Sequence, residues 1–68
     1  MNELKTFIAM LDRAGVGYGT RQDYSPPGES VLVEHPVEGT ESDFWVSDWS
    51  FDEDGNLIDV AHYKGEVG

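Results

Sequence analysis

The sequence predicts an α+β fold in which one N-terminal helix packs on a three- to four-stranded antiparallel β-meander. Two observations carry that expectation. Apolar residues near the start recur at helical spacing, and everything after Gly15 runs in short alternating stretches broken by turn residues. With 68 residues the chain is read as one domain, 1–68, with a small core, since a chain of this size hides only about 60% of its unfolded surface.

The helix is expected over residues 3–14. Leu4, Phe7, Ile8, Leu11 and Ala14 fall on one face, Asn2 suits the cap, Glu3 the positive end of the dipole and Arg13 the negative end. Gly15 stops it by taking the left-handed conformation. A first strand is expected over 16–22, with Val16, Tyr18 and Thr20 on one side, although Gly15, Gly17 and Gly19 weaken it. Pro26-Pro27-Gly28 is a break, and a second strand is expected over 30–35. A polar loop runs from Pro36 to Ser42. Residues 43–51, rich in Phe, Trp and Val, give the best strand in the chain. Asp52-Glu53-Asp54-Gly55-Asn56 turns it back into a strand over 57–64, and 65–68 are expected to fray.

Because side chains alternate along a strand, the last hairpin has a readable register. Pairing Phe51 with Leu57 puts Trp45, Trp49, Phe51, Leu57, Ala61 and Tyr63 on one face, with Ser47 and Asp59 among them. The other face then carries Phe44, Val46, Ile58 and Val60 among Asp48, Ser50, His62 and Lys64. One short helix covers only one face, so the second is expected to stay open as a patch with acids among its apolar residues. Aromatic residues in such a patch suit a protein interface. The plainer reading makes them core residues of a small domain, with an ordinary half-wet second face.

Charge is the most pronounced feature, fourteen Asp and Glu against four Lys and Arg, a formal net charge of -10. Up to residue 28, Glu3, Asp12 and Asp23 balance Lys5, Arg13 and Arg21; beyond it only Lys64 opposes all the remaining acids. Such a field repels nucleic acid and anionic membrane and speeds encounter with cationic proteins. The absence of cysteine removes disulfides, thiolate metal sites and thiol catalysis. No apolar run approaches a membrane span, and the opening residues lack a signal-peptide layout, so a cytoplasmic location is expected.

Motifs for chemistry are sparse. Ser50, Asp52, Asp54 and Gly55 overlap the opening of a calcium loop, but Ala61 stands where the bidentate twelfth-position Glu is required. His35 and His62 each lie near acids, yet nothing in their spacing makes them converge. The serines lack a nucleophile-elbow setting, and no glycine-rich phosphate loop opens a helix. The sequence therefore predicts a non-enzyme with no cofactor and no metal.

Phe51-Asp52-Glu53-Asp54-Gly55-Asn56-Leu57-Ile58-Asp59-Val60, with the helix ending Leu11-Asp12-Arg13-Ala14-Gly15-Val16, resembles small acidic helix-plus-sheet proteins encoded by bacteriophages and mobile elements. The resemblance covers about half the chain and transfers no site residues. It implies a compact accessory protein, and the phage analogy adds inhibition of a host enzyme by imitation of the phosphate backbone.

The expected function is thus a small acidic protein-binding module docking on a basic protein surface, such as that of a nucleic-acid-binding host protein. Glu34, Glu38, Glu41, Asp43, Asp48, Asp52, Glu53 and Asp54 are expected to supply charge, with Trp45 and Trp49 as apolar anchors. The alternative is a structural accessory protein that forms a homodimer through an uncovered sheet face or an edge strand.

Overall fold

The computed structural model describes residues 2–36 and 43–66. Its elements are α1 (Glu3–Ala14), β1 (Gly19–Tyr24), β2 (Pro27–Pro36), β3 (Asp43–Asp52) and β4 (Leu57–Glu66). The strands form one antiparallel sheet in the order β1-β2-β3-β4, the expected meander.

α1 begins and ends where the sequence places it. The Asn2 side chain accepts from the Lys5 N–H at 3.0 Å. At the other end Gly15 (φ 73°) donates to the Asp12 carbonyl at 3.2 Å and Val16 to the Leu11 carbonyl at 2.9 Å, the paired bonds of a Schellman motif. This cap explains why the first strand starts later than expected. Val16 is committed to closing the helix, so pairing begins at Gly19, opposite Leu32. The break at Pro26 is also shorter than expected. Tyr24 pairs with Pro27 across a two-residue turn containing a cis Ser25–Pro26 bond, and Pro27 opens β2, a place where a missing N–H is tolerated.

Leu4, Phe7, Ile8 and Leu11 lie half-buried against Val31, Val33 and Phe51, with Tyr18 and Trp49 completing the cluster. The Phe7 ring sits 4.7 Å from Trp49 and 5.9 Å from Phe51, centroid to centroid. The start of the helix is tied to the β3–β4 turn. Leu4 N–H donates to the Gly55 carbonyl at 2.9 Å, the Asn2 amide to the Asp54 carbonyl at 3.3 Å, and Leu57 N–H to Glu3 Oε1 at 3.3 Å. Gly55 (φ 83°) is needed twice over, because a Cβ there would strike the Asn2 side chain as well as strain the backbone.

The register of the last hairpin departs from the expectation. Phe51 does pair with Leu57, but Ser50 pairs with Asp59, so Ile58 is an extra residue in β4. The bulge turns the rest of β4 over. Val60, His62 and Lys64 now share the helix side with Trp45, Ser47 and Trp49, while Asp59, Ala61 and Tyr63 join Phe44, Val46, Asp48 and Ser50. β4 also continues through Gly65, which pairs with Phe44, so the expected fraying does not begin at 65. A Cβ at Gly65 would enter the Phe44 ring, so the absent side chain lets that ring lie across the strand.

Candidate functional site

The side of the sheet away from α1 carries no second layer among the described residues, yet its middle is buried. Ser30, Val46 and Asp48 are all at or below 9% exposure there. Curling of the sheet accounts for this. The segment Val16–Gly19 before and at the start of β1 and Tyr63 and Gly65 of β4 border one depression, although β2 and β3 lie between them. That depression, about 770 Å³, has Leu32, Phe44, Val46 and Tyr63 as its apolar lining, with Glu34 beside them.

A polar network closes the neighbouring part of the same side. Arg21 reaches across β2, donating from Nε to Asp23 Oδ1 at 3.0 Å and from Nη2 to Ser30 Oγ at 3.1 Å and Asp48 Oδ2 at 3.2 Å. Ser30 Oγ donates to Asp23 Oδ2 at 2.5 Å and lies 3.3 Å from Ser50 Oγ. The Ser30 hydroxyl first, then Arg21, holds the Asp23 carboxyl below the usual carboxylate range. Asp48 Oδ1 is buried without a donor among the described residues, a costly arrangement that leaves Asp48 dependent on Arg21.

The expected site residues divide accordingly. Glu34 is exposed at the rim of the depression, and Glu53 and Asp54 are exposed on the β3–β4 turn. Asp48 lies beneath Arg21 and is engaged rather than displayed. Asp52 is engaged as well: its Oδ1 accepts from Asp54 N–H at 2.9 Å and Asn56 N–H at 2.8 Å, and its Oδ2 from Asn56 Nδ2 at 3.2 Å. Those donors, the Asn56 N–H foremost, lower its pKa. The turn thus uses for itself the oxygens a calcium loop would offer. Glu38 and Glu41 lie outside the described residues, and of Asp43 only the backbone pairing with Glu66 is described.

The two tryptophans have different fates. Trp49 packs under Phe7 as part of the core cluster, whereas Trp45 is 47% exposed on the helix side, beyond the helix itself. Leu32 and Tyr63 are the apolar residues of the depression that the sequence reading did not place on this side, whereas Phe44 and Val46 stand on the open face as expected. For Tyr63 the one signal was Leu57-Ile58, two consecutive apolar residues that interrupt alternation where the bulge lies.

His35 and His62 sit on β2 and β4 with β3 between them, and His35 Nε2 lies 3.2 Å from Ser47 Oγ. Among the described residues no group of three or more His, Cys, Asp or Glu is placed to hold a metal ion, and no helix is long and apolar enough to cross a membrane. No protein-family model, curated protein or solved structure matches the chain.

Proposed function

We propose that this chain is a non-catalytic binding module that docks on a basic surface of a larger protein through the uncovered side of its sheet. The observation that carries the reading is the open apolar depression of Leu32, Phe44, Val46 and Tyr63, with Glu34 at its rim, in a chain of net charge -10. Apolar area supplies the affinity of such a contact, and the field supplies encounter rate and partner choice. The overall dimensions agree: the molecule is 14 Å thin on its shortest axis, the thickness of a sheet with one helix upon it. It exposes 4907 Å², against about 4,300 Å² for a compact protein of this mass.

Inhibition of a nucleic-acid-binding protein is one form this docking takes. A strict nucleic-acid mimic asks for more, a row of free carboxylates, and Asp23, Asp48 and Asp52 use theirs internally. A second reading, pairing of two copies along β4, is favoured by the ten-residue strand at the sheet's edge and opposed by repulsion between two highly acidic chains.

The test is affinity capture from a cell extract at low salt, followed by release with rising salt. A specific cationic protein should be retained, released by a few hundred millimolar salt, and lost from Tyr63→Ser and Glu34→Gln columns. Retention indifferent to both salt and these variants would refute the reading. A concentration-dependent dimer in sedimentation, with no captured partner, would favour self-association instead.

A further inference from the structure

We propose that the open depression receives an arginine side chain of the partner, its guanidinium held between the Glu34 carboxylate and the rings of Phe44 and Tyr63. The inference rests on the binding reading above and names the group that the partner presents. Glu34 pairs with Val46 and Val46 with Tyr63, so the three form one line across the open side, and Phe44 lies two residues before Val46 on that side. Neighbouring strands are about 4.8 Å apart, which sets Glu34 and Tyr63 about 10 Å from each other, with buried Val46 as the floor between them. A guanidinium above that floor meets a carboxylate with its N–H edge and an aromatic ring with its plane.

The same side of the sheet already holds one guanidinium. Arg21 of β1 lies across β2 and donates to Asp23, Ser30 and Asp48. Glu34 stands further along that side of β2 and belongs to no ion pair among the described residues. Toward Glu34, β1 supplies no side chain to meet it. Its pairing begins at Gly19, opposite Leu32, and Gly17 precedes it; both line the depression, and a Cβ on either would meet nothing within 4 Å. The space that Arg21 fills at one end of the strand is left open at the other, beside an acid of the same kind.

Charge and shape together select the occupant. A lysine ammonium is a strongly hydrated point charge that neither forks onto a carboxylate nor lies flat on a ring, whereas a guanidinium does both. An apolar group would cover the Glu34 carboxylate without giving it a donor. A second copy would have to bring its exposed Arg13 against a chain of the same net charge, -10.

The experiment titrates the full chain at low salt with three capped tripeptides, Leu-Arg-Leu, Leu-Lys-Leu and Leu-citrulline-Leu, and follows methyl and ring resonances by NMR. The arginine peptide should shift Leu32, Phe44, Val46 and Tyr63, with the lysine peptide about threefold weaker and the uncharged citrulline peptide about tenfold weaker. Glu34→Gln should weaken the arginine peptide about fivefold and leave the citrulline peptide unchanged. Gly17→Arg, which brings a guanidinium from the chain itself, should block the arginine peptide, while Gly17→Ser should not. Equal affinity for the arginine and citrulline peptides, or shifts confined to the separate groove of Phe7, Met10 and Leu57, would overturn the assignment. Concentration-dependent shifts of the depression in the chain alone, removed by Arg13→Gln, would also overturn it by making a second copy the occupant. If the arginine peptide does not bind while the salt-released assay still captures a cationic protein, the arginine assignment fails and the module reading stands. If neither binds, both fail.

Discussion

Removing the Phe7 ring should undock the helix. Phe7 lies 4.7 Å from the Trp49 ring and 5.9 Å from Phe51, joining α1 to the sheet's two largest core side chains. Truncating a fully buried Phe to Ala costs about 3–5 kcal/mol, and Phe7 is half-buried, so Phe7→Ala should cost about 2–3 kcal/mol. About 0.5–1.5 kcal/mol of that belongs to the ring pairs. A domain of 68 residues holds about 3–10 kcal/mol in all, so the loss is a large share of the total. At about 4–8 °C per kcal/mol in this size class, Tm should fall by about 10–20 °C. Phe7→Leu, which keeps apolar area and loses the ring, should fall between the two. Urea denaturation followed by tryptophan emission gives the free energy and a structural readout together, because Trp49 gains water while Trp45 is already 47% exposed. A cost under about 0.5 kcal/mol, or native emission unchanged from wild type, would mean that this helical face does not hold α1 on the sheet.

Three other outcomes follow from particular contacts. Gly28→Ala places a methyl group in the Phe51 carbonyl across the β2–β3 pair, where backbone cannot yield, and should cost about 2 kcal/mol or more in urea; a neutral result would contradict that close approach. Asn2→Ala removes both the Lys5 cap and the tie to Asp54 and should cost about 1 kcal/mol, with Asn2→Ser recovering the cap alone. The Asp23 and Asp52 pKa values are depressed in the folded chain, so their stabilisation is full above an unfolded value of about 3.9 and is lost as pH falls through the folded values. The urea midpoint should therefore drop below about pH 4, and Asp52→Asn should reduce the size of that drop; an equal drop in both proteins would dissociate it from the turn.

Much of the architecture was legible because it is local. The bounds of α1, its Asn2 and Gly15 caps, the Gly55 turn and the meander order all follow from spacing and turn chemistry within a few residues. What the sequence hid is what depends on pairing. Val16 reads as strand by alternation, but its N–H is committed to Leu11 by the helix cap. The bulge at Ile58 adds one residue and reverses the faces of Ala61 and Tyr63, which no period-two reading of β4 recovers. Trp49 and Trp45 are equivalent by composition and alternation. Only the placement of Phe7 over one of them separates core from surface.

Charge shows the same dependence on pairing. Counted along the chain, Arg21 belongs to a neutral first segment. In space it crosses β2 to Asp48 and offsets part of the acidic second half, while Asp52 is enclosed by its own turn. Among the later acids with described side chains, Glu34, Glu53, Asp54 and Asp59 remain exposed, and they are not spread evenly. Glu34 stands near one end of β2, whereas Glu53, Asp54 and Asp59 gather near the beginning of β4, where Glu3 of the helix joins them. Part of that cluster is offset by the positive end of the α1 dipole, which favours carboxylates at this position.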